Sequence, residues 1–323
     1  MEVTRRLEQF VAPSQGVVLT VGNFDGVHLG HAQIVATARC VAARFRVPTV
    51  AMTFEPHPLA VLAPERAPAR LTTLPEKLAL LERCGVDFCI VLRSEPALLA
   101  MEAEDFLASV VAHCRPRAIV EGPDFNFGRG RGGSIETLAR HAARWGYQLH
   151  KVAALHCEAL SPRPTVGSSS IRQALRDGRI AEANAMLGRP YRIVGTTGHG
   201  AGRGTPLGFP TANLEAIAHL LPQEAVYAAI AQLEDGEIRL AAVNIGPQPT
   251  FGEEHSRVEA HVLDCADDLR GQRMGVHFLA RLRTQMKFSG PDELACQIRQ
   301  DVAATRAFAA EVDALRRSVP VAL

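Results

Sequence analysis

Residues 22–31 read GNFDGVHLGH and set two imidazoles, His28 and His31, three positions apart among Gly22, Gly26 and Gly30. A helix opening at about Val27 carries both rings on one face. Its first turn offers unpaired N–H groups and positive potential, and the glycines let a bulky phosphate approach the main chain. The string thus forms a phosphate seat, with two hydrogen-bond donors aimed at charge that builds on phosphorus and on a departing pyrophosphate. A lone HxxH pair is also what two capped or surface histidines look like, and as a metal site it lacks a third ligand and the HExxH context.

A second stretch, GHGAGRGTPLGFPTAN at 198–213, has a different chemistry. Gly200, Gly202 and Gly204 form a flexible arch, and Thr211 and Asn213 stand two apart, on one side of an extended strand. Their hard oxygens suit Mg²⁺. No GxxxxGK[ST] occurs, so phosphate transfer here does not rest on a Walker loop.

The elements that must hold these residues follow from hydrophobic period. In the first half, β-branched runs at 17–21, 49–53, 88–92 and 118–120 alternate with amphipathic segments such as 29–44 and 75–84. That alternation predicts an α/β domain with a parallel sheet wrapped by helices, whose ligands sit beyond the carboxyl ends of the strands. GNFDGVHLGH follows the first of those strands directly, and Asp124 lies just beyond the run ending at Val120. Two helical segments, 168–177 and 180–187, lead to Gly188-Arg189-Pro190, where the pattern changes; domains of 1–187 and 188–323 are expected. Beyond it, strand-like runs at 192–195, 226–233, 240–245, 257–263 and 274–282 are separated by turn residues. Helical spacing returns from Pro291 to about Arg316. The second domain therefore reads as a small barrel or sheet closed by a terminal helix.

The strand–GNFDGVHLGH–helix arrangement resembles the HxGH signature of the nucleotidyltransferase superfamily, a Rossmann-like fold, and the full string is similar to that of bacterial FAD synthetases. TFEPHP at 53–58, GPDFNFGRGRGG at 122–133 and SSSIR at 168–172, similar to an SSTxIR motif, follow in the same order. The resemblance implies that Gly22, Asn23, Phe24, Asp25, Gly30, Pro56, Pro58, Asp124, Phe125, Ser168, Ser169 and Arg172 surround ATP and the flavin phosphate. It implies direct attack of the FMN phosphate on the α-phosphorus of ATP, with Mg²⁺ shielding the triphosphate and His28 and His31 catalytic. GFPTAN in turn resembles the riboflavin kinase motif, followed by AVYA at 225–228, NIGPQPTF at 244–251, VEAHVLD at 258–264 and RLRTQMKF at 281–288. That resemblance implies a β-barrel with a C-terminal helix, Thr211 and Asn213 on Mg²⁺, Gly200, Gly202 and Gly204 at ATP or riboflavin, Glu259 as the base for the riboflavin 5′-hydroxyl, and Arg283 at flavin or phosphate. Riboflavin, FMN and ATP are the implied small-molecule partners. The chain departs from these patterns at Gly167, Ser169, Thr205, Ala225 and Arg270; if the glycine usual at 225 served a positive φ, Ala225 would strain its turn.

Bulk properties narrow the alternatives. The formal net charge of +1, with 47% hydrophobic and 21% charged residues, describes a globular protein without the basic footprint of a nucleic-acid binder. Arg129 and Arg131 in the glycine-rich 128–133 segment leave an RNA-binding or regulatory flavin-binding role as a contrasting class, and an adenylyltransferase with a degenerate barrel as a second enzymatic one. The start of the chain lacks the apolar run of a signal peptide, and no later stretch is long enough to span a membrane, so a cytoplasmic location is expected. Seven scattered cysteines, with no CxxC, predict neither disulfides nor a structural zinc. Whether copies assemble into a homo-oligomer is left open by the sequence. The glycine-rich segments 128–133 and 198–204 read as loops able to close over substrate.

Overall fold

The computed structural model describes residues 1–198, 208–247 and 256–317. They form two compact units: 1–69, 74–158 and 163–166 in the first, and 70–73, 159–162 and 167 onward in the second. Gly200, Gly202, Gly204 and Thr205 lie outside the described residues.

The first unit runs β1 (Glu2–Thr4), β2 (Val17–Val21), α1 (Leu29–Phe45), β3 (Thr49–Glu55), α2 (Pro58–Leu62), α3 (Leu74–Arg83), β4 (Phe88–Arg93), α4 (Pro96–Leu99), α5 (Ala103–Cys114), β5 (Pro116–Glu121), β6 (Asn126–Phe127), β7 (Gly133–Ser134), α6 (Ile135–Trp145) and β8 (Gln148–Lys151). Six strands make one sheet in the order β1-β4-β3-β2-β5-β8, and every adjacent pair is parallel. Strand β2, VVLTV, is buried at every position because helices cover both faces. Val17, Leu19 and Val21 join Phe106, Leu107 and Val110 of α5 and Leu138 of α6. Val18 packs with Ala38, Val41 and Ala42 of α1. Each such fully buried Val or Leu contributes about 1.5–3 kcal/mol. The chain winds one way from β2 to β3 and the other way to β5, so the sheet's switch point lies between β2 and β5.

The second unit runs α7 (Ser168–Arg176), α8 (Ile180–Leu187), β9 (Tyr191–Gly198), β10 (Ala212–Glu215), β11 (Ala225–Gln232), β12 (Ile238–Pro247), β13 (Ser256–Val262), β14 (Arg273–Arg283), α9 (Pro291–Arg306) and α10 (Ala309–Arg317). Its strands close into an antiparallel barrel, β10-β13-β12-β11-β14-β9. All eight residues of β11 are buried. Ala225 begins that strand, opposite Ile245, and is absent from the positive-φ residues, so no strained turn arises there. Helices α7 and α8 pack with the barrel although the sequence changes character only after them. The Asn184 side chain receives the Tyr191 N–H at 2.7 Å and donates to the Phe278 carbonyl at 2.8 Å, tying α8 to β9 and β14.

The C-terminal helix expected from 291 to about 316 is two helices. Ala307 N–H bonds back to the Ala304 carbonyl, Phe308 to Thr305 and Glu311 to Phe308, so three-residue turns interrupt the four-residue ladder. Neither glycine nor proline announces the break. It lets Val312 and Leu315 of α10 pack with Ile230 and Ile238.

Arg283 at the end of β14 grips Asp301 of α9 with a fork: Nε to Oδ1 at 3.0 Å and Nη2 to Oδ2 at 2.8 Å. Gln297 adds a third donor to the carboxylate at 3.1 Å. Asp301 is buried and Arg283 nearly so. Removing one member leaves an uncompensated charge, so Asp301→Ala is expected to lower the stability of the barrel by about 3–5 kcal/mol in urea unfolding, whereas pairing Arg283→Met with Asp301→Leu recovers most of that loss.

Candidate active sites

In the first unit, β2 hands over to a tight turn. Phe24, Gly26 and Val27 all have left-handed φ, of 47°, 84° and 37°, and the Val27 N–H closes the turn on the Phe24 carbonyl at 3.2 Å. Helix α1 opens at Leu29, later than the sequence suggests, so His28 is its N-cap in extended conformation and not a residue on its face. The pair nevertheless meets. His28 Nδ1 accepts the His31 N–H at 3.3 Å, and the rings stack with centroids 3.7 Å apart at 18°. Because Nδ1 is the acceptor, a neutral His28 ring keeps its proton on Nε2, as a donor. Gly30 makes room: a Cβ there would lie 3.2 Å from two atoms of the His28 ring. The buried Phe24 ring stands edge-on to His31 at 5.2 Å. Asp25 is buried in the same turn.

Strand β3 supplies the neighbouring wall. Thr53 Oγ1 donates to the Asn23 carbonyl at 3.2 Å, and the Asn23 amide nitrogen lies 3.2 Å from His57 Nε2. His57 caps α2 through its other nitrogen, which accepts the Leu59 N–H at 3.1 Å, and Pro58 is the first helical residue. The Pro56 carbonyl accepts the Ser94 hydroxyl at 2.6 Å. The prolines thus shape the turn, and His57 between them is a polar contact that a focus on the prolines misses.

Asp124 is exposed beyond β5, and Phe125 stacks on Phe127 at 5.3 Å. Two of the glycines that follow, Gly128 and Gly133, answer to close packing. A Cβ on Gly128 would lie 2.6 Å from the Ala103 backbone, and one on Gly133 would lie 2.7 Å from the Phe127 ring. Arg129 pairs with Glu102. Ser168, Ser169 and the buried Arg172 lie on α7, which belongs to the second unit. Gly167 precedes it as an extended N-cap that any residue can adopt.

One buried carboxyl escapes the sequence reading. Glu121, the last residue of β5, is 2% exposed and takes the Val21 N–H on Oε1 at 2.6 Å. Burial pushes its pKa well above the ordinary carboxylate range, against the lowering pull of the Val21 N–H and the Thr20 hydroxyl. A glutamate at the end of an apolar run gives no period to read.

In the barrel, strand register lines up three polar residues. Asn213 of β10 is directly opposite Glu259 of β13, which on its other side is directly opposite Asn244 of β12. Their strand neighbours Leu214, Val258, Ala260, Val243 and Ile245 are buried core, so the polar row lies on the other face. Thr211 comes one residue before β10 begins. His261 braces the approach: Nδ1 lies 2.7 Å from the Pro210 carbonyl and the ring stands edge-on to Phe209 at 5.5 Å. Arg257 Nη1 is 3.5 Å from Glu259 Oε1. Gln285 donates to Asn244 Oδ1 at 2.8 Å and to the Ile245 carbonyl at 2.7 Å. Asn244, His261 and Gln285 were legible only as parts of quoted strings; cross-strand register reveals their place. Arg283 is engaged with Asp301, as described above, and its Nη1 donates to the Thr284 carbonyl at 3.1 Å.

The family model described as FAD synthetase matches residues 11–161, and that described as riboflavin kinase matches residues 187–309. The chain is 38% identical over 299 residues to the bifunctional riboflavin kinase/FMN adenylyltransferase of Escherichia coli K12, covering 92% of this chain and 94% of that one. It is 33% identical over 309 residues to the protein of the same name from Haemophilus influenzae, covering 95% and 99%. A solved structure titled as a macrolide-efflux protein from Streptococcus pneumoniae is also similar, with a TM-score of 0.83 and 28% identity over 94% of this chain and 98% of that one. Among the described residues no helix is long and apolar enough to cross a membrane.

Because the native Glu121 holds its proton where the unfolded chain has released it, the folded state loses stability as pH rises from the unfolded value through the folded one. Glu121→Gln lacks this titration and keeps an acceptor for Val21. Its stability relative to the native chain should therefore grow as pH rises above the ordinary carboxylate range, by no more than about 1.4 kcal/mol per pH unit, in denaturant titrations of the full chain. A difference that does not vary with pH would contradict the assignment of a neutral Glu121.

Proposed function

The chain belongs to the bifunctional riboflavin kinase/FMN adenylyltransferase family, and from that premise we propose that it builds FAD in two steps: the barrel unit phosphorylates riboflavin to FMN, and the sheet unit adenylylates FMN with release of pyrophosphate. The observation that carries this is that each unit keeps its reactive side chains together. His28 and His31 stack at the start of α1, and Glu259 stands opposite Asn213 in the barrel.

For adenylyl transfer, an FMN phosphate oxygen attacks the α-phosphorus of ATP in line, a new P–O bond forms, and the bond to the pyrophosphate leaving group breaks. His28 Nε2–H and the His31 ring donate hydrogen bonds to the phosphoryl oxygens as charge shifts toward pyrophosphate. The turn Gly22–Asn23–Phe24–Asp25 and Gly30 bring main chain near the phosphates, with Pro56, Pro58, Asp124 and Phe125 at the flavin side.

For phosphoryl transfer, Glu259 accepts the proton of the riboflavin 5′-hydroxyl as its oxygen attacks the γ-phosphorus and ADP departs. Arg257 lies beside that carboxylate, and Asn244 stands opposite Glu259 across the strand pair. The arch of Gly200, Gly202 and Gly204 is assigned to ATP or riboflavin, and Arg283 to a supporting place beside that pocket, through its pairing with Asp301. Thr211 and Asn213 suit Mg²⁺: Asn213 Oδ1 is buried without a hydrogen-bond partner among the described residues, a hard oxygen free for a cation. When bound, the ion offsets phosphate charge. The departures from the family pattern fit a working kinase, since Ala225 is unstrained and Arg270 merely pairs with Asp268 on the surface. The seven free thiols suit a reducing cytoplasm.

Incubating the protein with riboflavin, ATP and Mg²⁺ and separating the flavins tests both steps. Glu259→Ala is expected to slow FMN formation by about 10²–10⁴-fold while FMN still becomes FAD. Conversely, His31→Ala is expected to spare FMN formation and slow FAD formation by about 10²-fold or more. Undiminished FAD output in the latter variant would remove His31 from the reaction, and FMN formation untouched in the former would do the same for Glu259.

A further inference from the structure

We infer that Glu121 is a positioning residue for adenylyl transfer: its carboxyl group splits β2 from β5 at the sheet's ligand edge and so fixes where the turn carrying His28 and His31 departs. The inference rests on the adenylyl-transfer reading above.

The β2–β5 ladder pairs Val18 with Ala118 and Leu19 with Ile119 and then stops, although β2 continues to Val21. On its other side β2 stays paired to its end, Val21 with Met52, and the Gly22 N–H reaches the Met52 carbonyl at 2.9 Å. The two strands therefore part only at the switch point, the crevice where parallel α/β sheets seat their ligands. Parting leaves the Val21 N–H without a strand partner, and Glu121 Oε1 takes it at 2.6 Å. The Glu121 main chain faces away: its carbonyl accepts the Val152 N–H at 2.9 Å, and the residue pairs with Lys151 of β8. One residue thus belongs to β5–β8 through its backbone and to β2 through its side chain.

Burying a carboxyl is a costly way to satisfy one amide that a continued ladder would satisfy with a main-chain carbonyl. What the carboxyl adds is length, which sets the width of the gap. That width reaches the reacting groups by two routes. Val21 is joined to His28 by the six residues of the tight turn, and Gly122, next to Glu121, sits under α1, where a Cβ would lie 3.5 Å from Ile34 Cδ1, one turn beyond His31.

The test compares Glu121→Gln and Glu121→Met in the full chain. Glutamine keeps length and acceptor; methionine keeps volume and removes the acceptor. Three readouts are taken: kcat and KM for FMN to FAD, riboflavin to FMN as an internal control, and amide hydrogen exchange at Val21 and Gly22. Glu121→Met is expected to lower kcat for FAD formation by about 30–100-fold, with KM values within about 3-fold, because a misplacement near 1 Å has that effect on rate. Kinase turnover should stay at the native value, and the Val21 amide should exchange at least about 10-fold faster. Glu121→Gln should stay within about 3-fold of native in every readout. Native kcat in Glu121→Met, or Glu121→Gln as impaired as Glu121→Met, overturns the inference. If Glu121→Met fails to fold, Glu121→Gln decides alone: native kcat with a protected Val21 amide supports the positioning role, and a large loss overturns it. A native chain that forms no FAD from FMN and ATP would instead overturn the adenylyl-transfer reading, before either variant is compared.

Discussion

His28 Nδ1 accepts the amide of His31, and this bond makes one event of starting helix α1 and aligning its two imidazoles. A cap more usual than histidine, such as serine or aspartate, would start the helix equally well. It would not stack a second ring on His31 or supply an imidazole Nε2. The bond also dictates its surroundings. The cap must fold back over the first turn, so a Cβ at position 30 would be crowded by the His28 ring at 3.2 Å. The chain must reverse between Val21 and His28, which it does through three left-handed residues, two of them not glycine. Phe24 tolerates that conformation while its ring is buried against His31, so a residue in an uncommon backbone region is held by the group it helps to place.

The barrel solves a related problem by register. A strand pair brings side chains opposite one another without any need for sequence proximity, and two consecutive pairings put Asn213, Glu259 and Asn244 in one row across three strands. Slipping any of the three by one residue would turn its member of the row into the core. The buried alternation on β12 and β13 is therefore what guards the geometry, and the Arg283–Asp301 fork holds α9 to the end of β14.

Much of this was legible in sequence because it is periodic. The runs that became β2, β3, β4 and β5, and the five long barrel strands, show alternating or continuous apolar character bounded by turn residues. What escaped has no period. The break between α9 and α10 is made by three-residue hydrogen bonds in a stretch of good helix formers. Helices α7 and α8 join the barrel through contacts such as those of Asn184, whose partners lie on β9 and β14, and the Gln223 N–H on the Leu175 carbonyl. Helix α1 starts at Leu29, two residues beyond the expected Val27, which makes His28 a cap and not a helix residue. Glu121, His57 and Gln285 act through contacts to residues distant in sequence, and Gly128 and Gly133, at the two ends of the glycine-rich segment, fill places too narrow for a side chain.

The two units differ in what they leave unpaired. The barrel closes on itself, so among the described residues its ladder is continuous around the ring. The sheet has two open margins, and they fall on β1 and β8, of three and four residues. Brief margins offer a stray strand few amides to grasp. A fully buried strand such as β2, at the centre of the sheet, is thereby kept two or more places away from either margin of that sheet, at which aggregation could be templated.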